Sequence, residues 1–402
     1  MIQAPGQVFF LLVHFLLSDK EKQIVYKVCI LAFLTMTTLA HLSQALQKLA
    51  PLAYQEDYDN SGLLVGSPAL EVKGVLIALD ALEPVLEEAR QKNCNVVLSH
   101  HPIIFKGLNK LTGQHYTERV VIEALKNDIA LYALHTNLDN VRQGGVNSKI
   151  AEKLALQALR PLQLRPRTLS KLTTFVPEAH TEAVLQALGQ AGAGQIGEYK
   201  DCSFRVKGQG RFTPSENANP FLGQAHQPEE VNEDRVEVIF PAILEKTIIQ
   251  ALRQAHPYEE VAYYLHRLEN DNPEVGSGAI GVLPQALEEA DFLAYLKEKM
   301  GLAVIRHTAF RGKRIEKVAV CGGAGSFLTQ LAIAQGAQAF VSADFRYHEF
   351  FEADGQLMIA DIGHYESERF TSELLQEYLQ KSFPGLPVLC TTHTTNPIRY
   401  YS

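Results

Sequence analysis

The stretch Asn95-Val96-Val97-Leu98-Ser99-His100-His101-Pro102 constrains this chain most, because a short apolar strand runs directly into two adjacent histidines. An uninterrupted apolar run of this length is the pattern of a strand buried on both faces of a mainly parallel sheet. Pro102 has no amide hydrogen to give to a ladder, so the strand ends there. In open α/β sheets ligands gather beyond the carboxyl ends of strands. Neutral imidazole is a common ligand for zinc and other transition metals. The pair therefore has two readings: part of a metal site, or histidines that cap the strand and hydrogen-bond locally.

The surrounding chain repeats the strand-helix alternation. Thr37 or Thr38 can cap a helix with the apolar face Leu39, Leu42, Leu46 and Leu49, which Pro51 ends. Asp59-Asn60-Ser61-Gly62 has the composition of a tight turn. Strands are expected at 75–79, 95–99 and 129–134, with helices at 83–92, 117–127 and from Gly144-Gly145 to about Leu156. Such alternation implies a parallel sheet with crossover helices.

The second half echoes the first. Strands are expected at 315–320, 339–342 and 356–360, with a helix over 326–335. Laying Val75 on Val318 places Asn95 on Gln338 and His101 on Asp344 without a gap. Between the halves the order changes: strand 169–176, helix 180–191, strand 203–212, a polar loop over 214–234, strand 235–241, helix 242–255 and strand 261–268. That βαββαβ order is ferredoxin-like. Gly276-Ser277-Gly278 then provides a hinge back. The expected fold class is α/β: two related βα halves forming a metal-binding domain, interrupted by a ferredoxin-like insert. The expected boundaries are 36–159, 160–275 for the insert, and 276–402.

A chain of 402 residues exceeds one typical core. Its formal charge of −8 argues against a broad electrostatic footprint for nucleic acid. Cys29, Cys94, Cys202, Cys321 and Cys390 lie far apart and form neither a disulfide framework nor a zinc knuckle, which points to a reduced, cytoplasmic setting. The apolar runs Val8–Leu17 and Val25–Leu34 are each shorter than a membrane helix. Residues 1–35 are expected to be a non-native or disordered extension, and no membrane partner is expected.

A second set of chemical residues is His364-Tyr365-Glu366-Ser367-Glu368, at a strand end where a helix over 366–382 begins. His364 and Glu368 are four apart and can share a helical face. Either glutamate also suits the first turn of a helix dipole. Asp139 follows the third strand in Asn137-Leu138-Asp139-Asn140, where an aspartate is commonly a turn former. Together His100, His101, Asp139, His364 and Glu368 offer nitrogen and oxygen donors that suit zinc, iron or manganese. Five ligands exceed one closed tetrahedral zinc and fit two divalent ions sharing a carboxylate. Cys321-Gly322-Gly323-Ala324-Gly325-Ser326 fits either close strand-helix packing or a phosphate cradle, but lacks the Walker lysine. His256-Pro257-Tyr258-Glu259-Glu260 joins a helix to a strand and fits a subunit contact rather than catalysis.

At these residues the sequence resembles the Nif-three-like family, whose members are often labelled GTP cyclohydrolase I type 2 homologs. The matching motifs are Asp59-Asn60-Ser61-Gly62-Leu63, Ser99-His100-His101-Pro102, His135-Thr136-Asn137-Leu138-Asp139, Gly322-Gly323-Ala324-Gly325, Ser342-Ala343-Asp344-Phe345-Arg346-Tyr347-His348, and Asp361-Ile362-Gly363-His364 with Glu368. They recur in order over residues 36–402. The stretch from His256 to Tyr263 matches the inserted domain of longer members, which resembles PII and CutA-like trimeric folds. Ala343-Asp344 stands where the family usually has Gly-Asp.

The resemblance implies a dinuclear metal centre with His100, His101, Asp139 and His364 as ligands and Glu368 bridging. It implies a toroidal homohexamer with sites facing an interior cavity, and an insert able to cap the openings. Two functions follow as expectations. One is a metal-dependent hydrolase of a cyclic or phosphorylated small molecule, with His135, Asp344, Tyr347 and His348 as candidates for supporting or proton-transfer roles. The other is a metal-binding or regulatory scaffold without turnover.

Overall fold

The computed structural model describes residues 37–401. The extension expected over 1–35, with its two apolar runs, lies outside the described residues. In chain order the strands are β1 (Gly62–Val65), β2 (Val75–Ala78), β3 (Val96–Ser99), β4 (Ala130–Ala133), β5 (Gln157–Leu164), β6 (Leu169–Pro177), β7 (Ser203–Phe212), β8 (Glu229–Pro241), β9 (Tyr263–Leu268), β10 (Gly276–Leu287), β11 (Arg306–His307), β12 (Ile315–Ala324), β13 (Ala339–Ala343), β14 (Met358–Asp361) and β15 (Val388–Cys390). The chain divides into two compact units, one holding the residues up to Ala50, Asp57–His135 and those from Thr371 on, the other Pro51–Glu56 and Thr136–Phe370. No helix among the described residues is long and apolar enough to cross a membrane.

The first unit contains a five-stranded sheet in the order β1-β4-β3-β2-β15. Strands β2, β3 and β4 are buried at every position, as their apolar sequences require. They run parallel in the register Val75↔Val96↔Ala130. The helices Glu83–Gln91 and Tyr116–Lys126 bury Val85, Leu86, Ala89, Val120, Val121 and Ala124 against this sheet. The helix Leu39–Leu49 buries Leu39, Leu42 and Leu46 and is capped by Thr38, whose hydroxyl accepts from the His41 N–H. The apolar run after the Asp59 turn is itself a strand, β1, antiparallel to β4.

The second unit contains a six-stranded sheet ordered β11-β14-β13-β12-β10-β5 and a four-stranded sheet ordered β7-β8-β6-β9. In the larger sheet β12, β13 and β14 are parallel, with Val318 opposite Ala339 and Ala339 opposite Met358. Val75 and Val318 thus stand at corresponding ladder positions in their two sheets, as the sequence overlay expects. All pairings in the smaller sheet are antiparallel. The helices Thr181–Gln190 and Glu245–Ala255 cover one face, where Val184, Leu188, Ile248 and Leu252 meet Leu172, Val236, Val238 and Phe240. This sheet is bounded by Leu169 and Leu268, so the expected boundary at 160 falls inside β5 of the other sheet.

Three expectations need correction. Gly276-Ser277-Gly278 is not a hinge but the start of β10, paired with β5. Its glycine permits close backbone approach, since a Cβ on Gly276 would lie 2.1 Å from the Gln163 carbonyl oxygen. The polar segment 214–234 is not all loop, because β8 begins at Glu229 and pairs with β7 along that strand's full length. Charges alternate across this ladder, Lys207 facing Asp234 and Arg211 facing Glu230. Such pairs hold a strand together without an apolar pattern. The helix expected over 366–382 is two helices, His364–Glu368 and Thr371–Ser382.

The C-terminal strand is tied down by a buried carboxylate. Glu88 is 4% exposed. It accepts hydrogen bonds from Lys92 (2.6 Å), from the Thr392 N–H (3.0 Å), from the Thr392 hydroxyl (2.8 Å) and from the Thr391 hydroxyl. Burial alone pushes its pKa up, but these bonds together outweigh burial and hold it down at about 2. A carboxylate depressed in the folded state stabilises the fold above its unfolded pKa, and that contribution is lost as pH falls toward 2. Glu88→Gln is therefore expected to destabilise the chain by about 1–3 kcal/mol at neutral pH. In thermal unfolding followed against pH, the gap between variant and wild type should close between about pH 4.5 and 2.

Candidate metal centre

In the first unit, β3 and β4 end side by side, Ser99 opposite Ala133, so the residues that follow them emerge together. His100, His101 and His135 sit there with ring centroids 5.0, 5.4 and 5.6 Å apart. Each offers one ligand atom, and the three atoms lie within 4.8 Å of one another. His100 is fully buried.

Each ring is held through Nδ1. His100 Nδ1 is 2.7 Å from the Leu134 carbonyl oxygen, His101 Nδ1 is 2.7 Å from Asp80 Oδ1, and His135 Nδ1 is 2.7 Å from Asp59 Oδ1. The acceptors are themselves anchored. The Thr395 hydroxyl donates to Asp80 Oδ2 (2.6 Å), the Ser61 hydroxyl to Asp59 Oδ2 (2.9 Å), and the Asn60 N–H to Asp59 Oδ1 (2.7 Å). A carboxylate or carbonyl accepting from Nδ1–H fixes the tautomer in which Nε2 carries the lone pair. The Asp59 turn thus does more than reverse the chain: it sets the orientation of His135.

In the second unit, His364 and Glu368 occupy the ends of the short helix after β14, with Nε2 3.1 Å from Glu368 Oε2. His364 Nδ1 is 2.7 Å from Asp344 Oδ2. Asp344 follows β13 with φ +58°, a left-handed conformation that aspartate tolerates better than most residues. Asp139 closes the helical turn Thr136–Asp139, whose carbonyl accepts from Asn147 Nδ2 (3.0 Å). Burial pushes the Cys321 thiol pKa up, and the Asp139 and Glu368 carboxylates add to the shift. Tyr347 and His348 stand on the 3-10 helix Tyr347–Ala353 with their rings 5.1 Å apart, and Tyr347 is largely exposed.

The glycine-rich turn resolves its two readings. The Gly322 N–H donates to Asn147 Oδ1 (3.0 Å) and the Gly323 N–H to Ser367 Oγ (2.9 Å). Amides engaged in this way do not cradle a phosphate. The small residues instead allow close packing. A Cβ on Gly322 would lie 2.7 Å from Val146 Cγ1, and one on Gly323, at φ +62°, would lie 2.4 Å from Glu368 Oε1. Gly323 is thus the recess in which the Glu368 carboxylate lies.

The donors in each unit suit a transition-metal ion: in the first, three imidazoles whose Nδ1 atoms face acceptors, and in the second, an imidazole with a carboxylate seated over a glycine. Sequence reasoning gave His135 only a supporting role, whereas the structure groups it with His100 and His101. It overlooked Asp80, whose only signal was its place just beyond the end of β2.

Among known proteins, the family described as Duf34/NIF3 (NGG1p interacting factor 3) matches residues 37–397. A Bacillus subtilis protein named GTP cyclohydrolase 1 type 2 homolog is 37% identical over 365 residues, covering 89% of this chain and 97% of the relative. A Halalkalibacterium halodurans protein of the same name is 36% identical over 341 residues, covering 84% of this chain and 91% of the relative. A solved structure described as a Bacillus cereus protein related to NIF3 has a TM-score of 0.80 at 34% identity, covering 91% of this chain and 100% of that one.

Two substitutions test the geometry. Asp80→Asn should lower metal affinity about 10- to 100-fold in a competition titration with a chromophoric chelator, while leaving the fold intact. Gly323→Ala should cost about 1–2 kcal/mol from the left-handed backbone alone. It should also weaken metal binding by displacing Glu368, and a variant that binds metal as the wild type does would contradict the recess.

Proposed function

The chain belongs to the Duf34/NIF3 family, and we propose that it is a dinuclear metalloprotein that hydrolyses a cyclic or phosphorylated small molecule. The observation that carries this reading is the uniform Nδ1 anchoring of His100, His101, His135 and His364. Acceptors on Nδ1 favour the tautomer that presents Nε2 at His100, His101 and His135, and His364 lies with Asp344 at Nδ1 and Glu368 at Nε2, an arrangement that suits ligation rather than the capping of a strand. The proposed ligands are His100, His101, Asp139 and His364, with Glu368 bridging two divalent ions of zinc, iron or manganese. His135 is a further donor by position. The motif order of the family supports this set.

Bound metal would supply a water of lowered pKa and an electrophilic centre for the substrate. The chain's own residues do the rest. Asp80, Asp59 and Asp344 orient the imidazoles and keep their Nδ1 protons in place. The Gly323 recess fixes the direction of the Glu368 carboxylate. The names of the relatives direct the substrate search to GTP first and then to other cyclic and phosphorylated metabolites.

The finer architecture belongs to the same proposal. The two parallel three-strand cores are related halves of one metal-binding domain, supported by their matched registers. The four-stranded sheet, with its β7-β8-β6-β9 order and two helices, is a ferredoxin-like insert of the PII/CutA kind. A homohexamer is supported by the resemblance and by the exposed rings of Phe310, Phe327, Tyr347 and Phe351, which a subunit contact would cover. A reducing, cytoplasmic setting is supported by the free thiols Cys94, Cys202, Cys321 and Cys390. The scaffold reading rests on that separate insert, which has a cavity of its own.

Purified protein loaded with zinc, iron or manganese should carry two ions per chain by elemental analysis and turn over at least one substrate in a screen that includes GTP. His101→Ala should lose metal and turnover together. Full metal retention in that variant would remove His101 from the ligand set. Absence of any turnover by the metal-loaded wild type would favour the scaffold.

A further inference from the structure

The four-stranded sheet carries a cavity of about 800 Å³ that the metal chemistry does not use. Its floor is the stretch of β7 where Gly208 and Gly210 leave the sheet without side chains, with Gly208 directly opposite Glu233 of β8. A Cβ on Gly210 would lie 2.1 Å from Glu233 Oε2, so glycine is what lets this carboxylate lie across the strand. Glu233 is only 7% exposed. Around it stand aromatic walls: Phe212 and Phe221 pack at 5.9 and 6.4 Å from the Tyr258 ring.

Tyr258 is held rigidly by the His256-Pro257-Tyr258 turn. Burial keeps His256 neutral. Its Nε2–H donates to the Phe175 carbonyl (2.9 Å), and its Nδ1 accepts from the Tyr258 N–H (3.1 Å). The Tyr258 hydroxyl donates to Glu233 Oε1 (2.9 Å). Burial and the adjacent carboxylate both push the phenol pKa up, so Tyr258 stays the donor and Glu233 the acceptor. Three cations line the cavity: Arg235 pairs with Glu237 at 2.6 Å, Lys207 pairs with Glu178 at 3.0 Å, and Arg211 stands opposite Glu230 in the β7–β8 ladder.

We propose that this cavity binds a small organic cation, an ammonium on an apolar body, with its charge at Glu233 and its body between Phe212, Phe221 and Tyr258. A buried carboxylate offers an ammonium a charge-assisted hydrogen bond. Aromatic faces attract the same charge. A neutral molecule of equal shape gains only the apolar contact. The turn that the sequence suggested for a subunit contact is, on this account, the wall of a ligand site.

The test is calorimetric titration of the full-length protein near neutral pH with 2-phenylethylammonium chloride and, in parallel, neutral 2-phenylethanol. The ammonium should bind saturably and about tenfold or more tighter than the alcohol. Glu233→Gln, whose amide oxygen still accepts from Tyr258, should lose that advantage while binding the alcohol as the wild type does. Phe221→Ala, a truncation on an exposed loop, should weaken both probes, and thermal unfolding of each variant checks its fold. Absence of saturable ammonium binding, equal affinity for the two probes, or unchanged ammonium binding in folded Glu233→Gln would each overturn the proposal. Should Glu233→Gln fail to fold, the wild-type comparison of ammonium with alcohol decides it.

Discussion

An acceptor 2.7 Å from Nδ1 recurs at His100, His101 and His135 in one unit and at His364 in the other, and the proposed chemistry depends on it. An imidazole free to rotate or to exchange tautomers presents its second nitrogen only part of the time. Here a main-chain carbonyl and three aspartates remove that freedom. The aspartates come from different places: Asp80 after β2, Asp59 before β1 and Asp344 after β13. Within each sheet the strand ends lie along one rim, which brings Asp59 and Asp80 to the histidines of the first unit and Asp344 to His364 in the second. The fold thereby supplies preorganisation, which short motifs on a flexible chain could not.

Much of this arrangement is legible in the sequence. His100 and His101 follow an apolar run that reads as a buried strand, and His364 and Glu368 carry helical spacing across a strand end. The orienting shell was less visible. Asp80 looks like an ordinary polar residue after a strand, and Asp59 has the composition of a turn, because in both cases the partner imidazole is remote in sequence. In sequence His135 reads as an auxiliary group, and its grouping with His100 and His101 follows from the pairing of β3 with β4. Local pattern identifies residues at strand ends, but only the sheet order says which ends are neighbours.

The errors in the fold have the same origin. Gly276 and Gly278 read as a hinge because glycine punctuates loops, yet at Gly276 the need is steric: β5 passes too close for a side chain. The polar composition of Glu229–Asp234 reads as loop, yet the segment pairs with β7 residue by residue, with opposite charges facing at Arg211–Glu230 and Lys207–Asp234. Glycine and charge are ambiguous signals until the neighbouring strand is known. The same ambiguity surrounds Gly208 and Gly210, where missing side chains open the floor of a cavity, and Gly323, where the missing side chain makes room for Glu368.

The central claim is that the anchored histidines ligate metal through their remaining nitrogens. X-ray absorption at the zinc edge, on protein loaded with zinc and freed of excess ion, tests this most directly. The account predicts a first shell of nitrogen and oxygen at about 2.0–2.1 Å, with the multiple-scattering signature of several imidazoles. A shell containing sulfur at about 2.3 Å, or one of water oxygens without imidazole scattering, would contradict it.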